Sequence, residues 1–343
     1  MAALRDGFTT GTGATAAAIA ATLLLRGRQP DTPVLTPLPP IVDDSPAGWW
    51  PVPLERFGLL PDGSAFAEVR KDAGDDPDVT DGMIIRVDVS HGLGRGIEID
   101  GGTGIGRVTL PGLQLAPGEA AINPVPRQQI AWAVKQYADR PLKVMLSAPE
   151  GEARARGTMN ASLGIVGGIS ILGTHGIVRP FSHDAWRASI IQGIRVASAC
   201  GASRLCVSTG RRSSDLLAGL YPHLEPYSFL IMGDYIRECL ELCQEFEHLS
   251  FGCFAGKLVK LAQGCDNTHA HKAPLDMQFM ARIAGVPAVG KCLTANAALE
   301  LLLACGRGLK NIAELAQRHL CEFAGRPVAL HVFHMDGREL LRI

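Results

Sequence analysis

Leu205-Cys206-Val207-Ser208-Thr209-Gly210-Arg211-Arg212-Ser213-Ser214-Asp215 decides how the second half of this 343-residue chain is built. A short apolar run bounded by a turn reads as a strand buried on both faces, and the glycine with its polar successors opens a helix. The same rhythm repeats downstream. Residues 228–232 (Ser-Phe-Leu-Ile-Met) stop at Gly233-Asp234 before a helix to about residue 247, and residues 249–253 lead through Gly256 into a helix carrying Lys257 and Lys260. A helix over 184–200 comes before this series, and helices near 294–305 and 312–323 come after it. The chain ends in a hairpin, 328–334 and 339–343, turning at Met335-Asp336-Gly337-Arg338. Short apolar strands alternating with helices imply a Rossmann-like α/β domain with a mainly parallel sheet over residues 179–343.

Working outward, the first half has a different pattern. Residues 66–70, 83–89 and 96–99 alternate apolar with polar side chains and are rich in β-branched residues, as half-buried strands are. A helix starts after Pro126 and runs to about residue 137, followed by a strand at 142–147. This half reads as an α+β domain with mostly antiparallel strands. Residues 30–61 are proline-rich and lack helical periodicity, so they read as loop with one short strand near 34–36. Residues 164–180 mix five glycines with β-branched residues, a poor helix and a flexible strand, and mark the junction between domains 1–178 and 179–343.

Bulk properties exclude several classes. A net charge of −1 gives no general pull toward nucleic acid or a membrane surface. No window of 18 apolar residues exists to span a bilayer. The run from Ala14 to Leu25 imitates a signal-peptide core, yet Arg26-Gly27-Arg28-Gln29-Pro30 stands where a cleavage site would be needed. Nine cysteines, all from Cys200 onward and without a CxxC pair, read as reduced thiols of a cytoplasmic protein.

Four stretches carry chemistry. Thr9-Thr10-Gly11-Thr12-Gly13-Ala14-Thr15 runs into an uninterrupted helix, so free N–H groups, the helix dipole and the hydroxyls of Thr9, Thr10 and Thr12 suit a carboxylate or phosphate; an ordinary helix cap reads equally well. Gly74-Asp75-Asp76-Pro77-Asp78-Val79-Thr80 crowds three carboxylates, for proton abstraction, for holding a cation, or simply as a solvated turn. Gly210, Arg211 and Asp234 fall at the carboxyl ends of two successive parallel strands, where open α/β sheets bind ligands and an acid accepts from ribose hydroxyls. Asn267-Thr268-His269-Ala270-His271-Lys272 gathers donors and imidazoles, but no carboxylate or thiol stands at a metal-ligand spacing. No G-x-G-x-x-G follows the first of these strands, and neither a G-x-x-x-x-G-K-[ST] loop nor a G-x-S-x-G elbow occurs.

Several of these segments together resemble the CbiD family, the cobalt-precorrin-5B methyltransferases of the anaerobic cobalamin pathway. The likeness lies in Gly7-Phe8-Thr9-Thr10-Gly11-Thr12, in Lys71 through Thr80, in Gly101-Gly102-Thr103-Gly104-Ile105-Gly106-Arg107-Val108-Thr109, and in Gly118 through Arg127. It continues through Leu163 to Pro180 and through Gly256-Lys257-Leu258-Val259-Lys260-Leu261 to Asn267-Thr268-His269, so it covers nearly the whole chain. Gly13 replaces a usual cysteine and His175 a usual threonine, which removes a family role from both.

The resemblance implies methyl transfer from S-adenosylmethionine to ring position 1 of a cobalt-containing, ring-contracted tetrapyrrole, with the cobalt belonging to the substrate and no protein-bound metal. A sulfonium methyl is already electrophilic, so alignment contributes most of the rate. Any base for a departing ring proton comes from Asp75, Asp76, Asp78 or His269. The acetate and propionate groups of the substrate call for Thr9, Thr10, Thr12, Arg127, Arg179, Lys257 and Lys260. The donor falls to Gly210, Arg211 and Asp234. A non-catalytic corrinoid carrier is the alternative, separated from the enzyme by its lack of a donor site. The expected partner is the small-molecule substrate, with a homodimer as an option for assembly.

Overall fold

Threonines and glycines followed by an alanine run specify a helix with little bulk on any side. The computed structural model, which describes residues 4–343, shows that helix as the axis of the first half. Helix α1 (Thr10–Leu25) is capped by Thr9, whose Oγ1 accepts the Thr12 N–H, and every residue of it but Leu23 and Leu25 is buried. Apolar on all sides, α1 is a core helix.

Around it stand strands β1 (Val34–Val42), β2 (Ser45–Val52), β3 (Arg56–Leu59), β4 (Ala65–Arg70), β5 (Ile84–His91) and β6 (Ile97–Gly101), helix α2 (Pro124–Lys135) and strand β7 (Leu142–Ser147). Five of the strands form one sheet in the order β3-β4-β5-β7-β6, antiparallel except for the β6–β7 pair. Alternation does what the sequence predicts: Ala65, Ala67 and Val69 of β4, Ile85, Val87 and Val89 of β5, and Val144 and Leu146 of β7 all turn into one core with the alanines of α1.

Residues 34–52 overturn the expected loop, for β1 and β2 pair as an antiparallel ribbon across a two-residue turn at Asp43-Asp44, both with positive φ. Proline is compatible with a ribbon because each strand has a partner on one side only. The pairs Leu35–Pro51 and Pro37–Trp49 lie two apart and so belong to one class of the alternating ladder, while a bulge between Leu38 and Ile41 takes up Pro39 and Pro40.

The glycine-rich stretch 164–180 winds through this same half. Ile165–Val166 pairs with Arg107–Val108, and Ile177–Val178 pairs with Gly7–Phe8. The chain divides into two compact units between Trp186 and Arg187, within helix α3 (His183–Ala199).

The second unit contains β8 (Arg204–Ser208), α4 (Arg211–Leu220), β9 (Phe229–Ile231), α5 (Ile236–Leu242), β10 (His248–Phe254), α6 (Ala255–Ala262), α7 (Met277–Ala284), α8 (Ala295–Cys305), α9 (Leu309–Ala324), β11 (Val328–Phe333) and β12 (Glu339–Arg342). Its sheet runs β9-β8-β10-β11-β12, with three parallel pairings and an antiparallel final strand. The fold is thus mixed α/β, with sheets of mixed orientation. Helix α4 packs on β8, β9 and β10, whereas α9 packs on α5, α6 and β11. At the foot of α4, fully buried His331 joins Glu339 Oε1 (2.6 Å from Nδ1) and the Tyr221 hydroxyl (3.0 Å from Nε2). Burial pushes this imidazole below its ordinary value, with Glu339 pulling the other way.

Candidate active site

Strand register sets the level of the candidate site in the second unit. Ser208, Ile231 and Gly252 stand side by side near the ends of β8, β9 and β10. Gly210, Asp234 and the start of α6 therefore follow at one edge of the sheet. Successive strands step one way from β8 to β9, and β10 then joins on the other side of β8. A reversal of that kind opens a crevice outside the carboxyl ends of the strands. A Cβ added at Gly210 or Gly256, on the two sides of the reversal, would meet nothing within 4 Å.

Here a polar cluster assembles from three segments. Thr268, fully buried, donates from its hydroxyl to Asp234 Oδ1 (2.7 Å) and from its N–H to the Asp234 carbonyl (2.9 Å). The Lys257 ammonium pairs with Asp234 and donates to the Thr268 hydroxyl (3.1 Å) and carbonyl (3.2 Å). Lys260, 7% exposed, donates to the same carbonyl at 2.7 Å. Sequence puts both lysines on α6, one helical turn apart, which turns them to one side.

Charge in the cluster is unequal, two ammoniums meeting one carboxylate. Burial would raise the Asp234 carboxyl, but hydrogen bonds from Lys257 and Thr268 and the lysine charge outweigh it and hold the group below its ordinary value. Burial lowers Lys260, helped by repulsion from Lys257. The surplus positive charge suits an anionic ligand. His269 is exposed at the margin of the cluster, with its Nδ1 accepting the His271 N–H at 3.4 Å.

Of the residues singled out from sequence, Asp234, Lys257, Lys260 and His269 thus come together, and Gly210 and exposed Arg211 lie on the same edge. Thr268 is the unassigned member; its place between two donor-bearing neighbours in 267–269 was the only signal.

In the first unit the candidate groups are tied into the fold. Thr9 caps α1, Thr10 Oγ1 accepts the Leu172 N–H (2.9 Å), and Thr12 Oγ1 donates to the Gly176 carbonyl (2.8 Å); all three are buried. The helix end that sequence offered to an anion is thereby closed by the chain's own backbone. Arg127 likewise spends its guanidinium on the carbonyls of Ile99, Ala120 and Ile122. Arg179 is exposed in the same unit.

The three aspartates face three different partners. Asp75 Oδ2 accepts the Arg5 N–H (2.6 Å), and Asp76 Oδ1 accepts the Phe181 N–H (2.9 Å). Asp78 accepts from the Thr80 N–H and hydroxyl and pairs at 3.3 Å with Lys71, a buried lysine that no sequence pattern announced. Burial acts to raise the Asp78 carboxyl, but the Lys71 charge and the Thr80 hydrogen bonds prevail and keep it below its ordinary value.

Among the described residues no three His, Cys, Asp or Glu side chains gather as metal ligands, and no helix is long and apolar enough to cross a membrane.

Comparison with known proteins places these features in a family. The sequence pattern of CbiD matches residues 1–180, and that of the CbiD C-terminal domain matches residues 267–342. A protein of Nitratidesulfovibrio vulgaris named cobalt-precorrin-5B C(1)-methyltransferase is 46% identical over 99% of this chain and 92% of its own. One of the same name from Geobacillus kaustophilus is 40% identical over 98% of this chain and 94% of its own. A crystal structure of the cobalamin biosynthesis protein CbiD from Archaeoglobus fulgidus aligns with a TM-score of 0.40 and 25% identity, over 88% of this chain and 85% of that one. Full-length identity at this level, joined to a family match over more than half of the residues, makes the chain a member of the CbiD family.

Proposed function

We propose that the protein is a C-methyltransferase of cobalamin biosynthesis, carrying a methyl group from S-adenosylmethionine to ring carbon 1 of cobalt-precorrin-5B and giving cobalt-precorrin-6A. The observation that carries this reading is the end-to-end likeness to enzymes of that name. Nine cysteines, all free, accord with a cytoplasmic setting.

In this reading the second unit is Rossmann-like and its carboxyl edge receives the donor. The residues there fit such a ligand: two glycines with open space beside them, a half-buried carboxylate and surplus positive charge. When bound, S-adenosylmethionine supplies an activated methyl on a cationic sulfur. Asp234 keeps its charge and offers Oδ2, which makes no hydrogen bond among the described residues, to ribose hydroxyls. Gly210 and Arg211 complete that side. Lys257 and Lys260 present their surplus charge to carboxylates on the macrocycle rim.

His269 acts as a donor toward the rim. An imidazole that accepts at Nδ1 while neutral carries its proton on Nε2, so it gives a hydrogen bond rather than taking a proton. Asp78 is fixed in its charged form by Lys71 and Thr80, which makes it a weak base. The chain's own contribution is therefore alignment and charge matching, in keeping with an acceptor carbon that attacks the methyl directly.

Incubation with methyl-labelled S-adenosylmethionine and the tetrapyrrole, followed by NMR of the product, tests the assignment. Label at ring carbon 1 is the expected result; label at another carbon, or none, overturns it.

A further inference from the structure

Among the described residues three that are not glycine have positive φ, namely Asp43, Asp44 and Phe181. The two aspartates sit in a hairpin turn that demands that conformation, and aspartate tolerates it. Phe181, at φ +57°, follows Pro180 in a short turn ahead of α3, at a place where glycine would meet the same conformation without cost. For a bulky side chain the left-handed region is strained. The residue is 71% exposed, so no packing offsets the strain.

The conformation is held from outside. Asp76 Oδ1 accepts the Phe181 N–H at 2.9 Å across 105 residues of sequence. Asp76 is itself anchored, because its neighbour Asp75 exchanges backbone and carboxylate hydrogen bonds with Arg5. Gly7–Phe8, just beyond Arg5, pairs with Ile177–Val178, three residues before Phe181. Three distant segments thus close a ring of contacts whose outcome is an aromatic side chain held in solvent, two residues from Arg179. Strain that the surroundings enforce and that contributes no burial marks a functional position.

The geometry points to Phe181 as a specificity-determining residue against which a conjugated face of the tetrapyrrole packs, with Arg179 two residues away for a rim carboxylate and Asp76 as its positioning residue. A macrocycle with conjugated segments and anionic groups at its edge suits an exposed aromatic ring two residues from an exposed cation. This rests on the reading that the methyl acceptor is a tetrapyrrole, and it assigns Asp76 to holding Phe181 rather than to proton transfer.

Steady-state methylation assays of Phe181→Gly, Phe181→Trp and Asp76→Ala test it, with KM measured separately for the tetrapyrrole and for S-adenosylmethionine. Phe181→Gly is expected to raise the tetrapyrrole KM at least about ten-fold, leaving kcat and the donor KM within about two-fold and Tm unchanged or higher, since glycine relieves the strain. Phe181→Trp keeps the tetrapyrrole KM near the wild-type value. Asp76→Ala, which removes the acceptor of the Phe181 N–H, raises it in the same direction, but adds nothing in the Phe181→Gly background. An unchanged tetrapyrrole KM in Phe181→Gly, or a fall in Tm that accounts for the lost activity, overturns the assignment. So does an Asp76→Ala variant that loses kcat at unchanged KM. If the wild-type protein fails to methylate the tetrapyrrole, the proposed function falls first and this assignment with it.

Discussion

Thr268 donates a 2.7 Å hydrogen bond to Asp234, 34 residues before it, and Lys257 donates to both. The loop after α6 is thereby tied to the end of β9. Thr268→Val should cost about 1–2 kcal/mol, because Asp234 Oδ1 loses a buried donor, and should weaken S-adenosylmethionine binding, while Thr268→Ser keeps both. Urea unfolding and titration calorimetry check this, and equal donor affinity in Thr268→Val would remove the cluster from the donor site.

Lys71 has its ammonium in the core of the first unit with Asp78 as its charged partner. Lys71→Met keeps the apolar stem but strands the carboxylate. Stability should fall by about 2–4 kcal/mol, toward the lower end of the range for breaking a buried ion pair because the Asp78 side chain retains 26% exposure. The double variant Lys71→Met/Asp78→Asn should lose less than Lys71→Met alone, as the amide introduced beside Thr80 would still accept its hydrogen bonds. A chemical-denaturation series resolves the difference.

Two glycines of similar φ separate backbone strain from crowding. At Gly74 (φ +68°) an added Cβ would lie 2.1 Å from the Arg5 carbonyl oxygen, whereas at Gly82 (φ +71°) it would meet nothing within 4 Å. Gly82→Ala should cost about 1–2 kcal/mol and Gly74→Ala about 2–5 kcal/mol. Equal Tm values for the two would mean that the acidic loop does not rest on the Arg5–Gly7 segment.

Acid should loosen the second unit in the range where histidine titrates. Burial lowers the His331 value below 6.5, so the unfolded chain takes up a proton there before the folded one does. Stability tied to this residue is complete above about pH 6.5 and is lost as pH falls toward the folded value. His334, raised by Glu300 and Asp336, contributes in the opposite sense, so the check is differential: between about pH 5 and about pH 7, Tm should rise less, or fall more, with pH in His331→Gln than in the wild type. Asp78 and Asp234, held below 3.8, add a separate loss only at lower pH.

Patterning made much of this molecule legible. The alternation of β4, β5 and β7, the strand–helix rhythm of β8 to α6 and the closing hairpin follow from hydrophobic period and turn chemistry. The ribbon of β1 and β2 escaped because proline content outweighs strand propensity in any local reading, and only pairing shows that those prolines need no donor. Site residues were readable as types but not as neighbours. Nothing near Asp234 announces that residue 268 returns to it, and the hydroxyls at Thr9, Thr10 and Thr12 look free until residues 172–176 close over them. The conformation of Phe181 leaves no trace in composition at all.

The burial of α1 on every side has a consequence for biosynthesis. Its first turn is sealed by Leu172 and Gly176, which lie 162 residues beyond Thr10 and 164 beyond Thr12 and leave the ribosome correspondingly later. At about 5–20 residues per second, that delay is roughly 8–32 s. Through this interval the Thr10–Thr12 end of α1 stays open although the strands that cover its alanines have already been made, so slower translation of the last intervening codons should prolong the exposure of that end to chaperones that hold nascent chains.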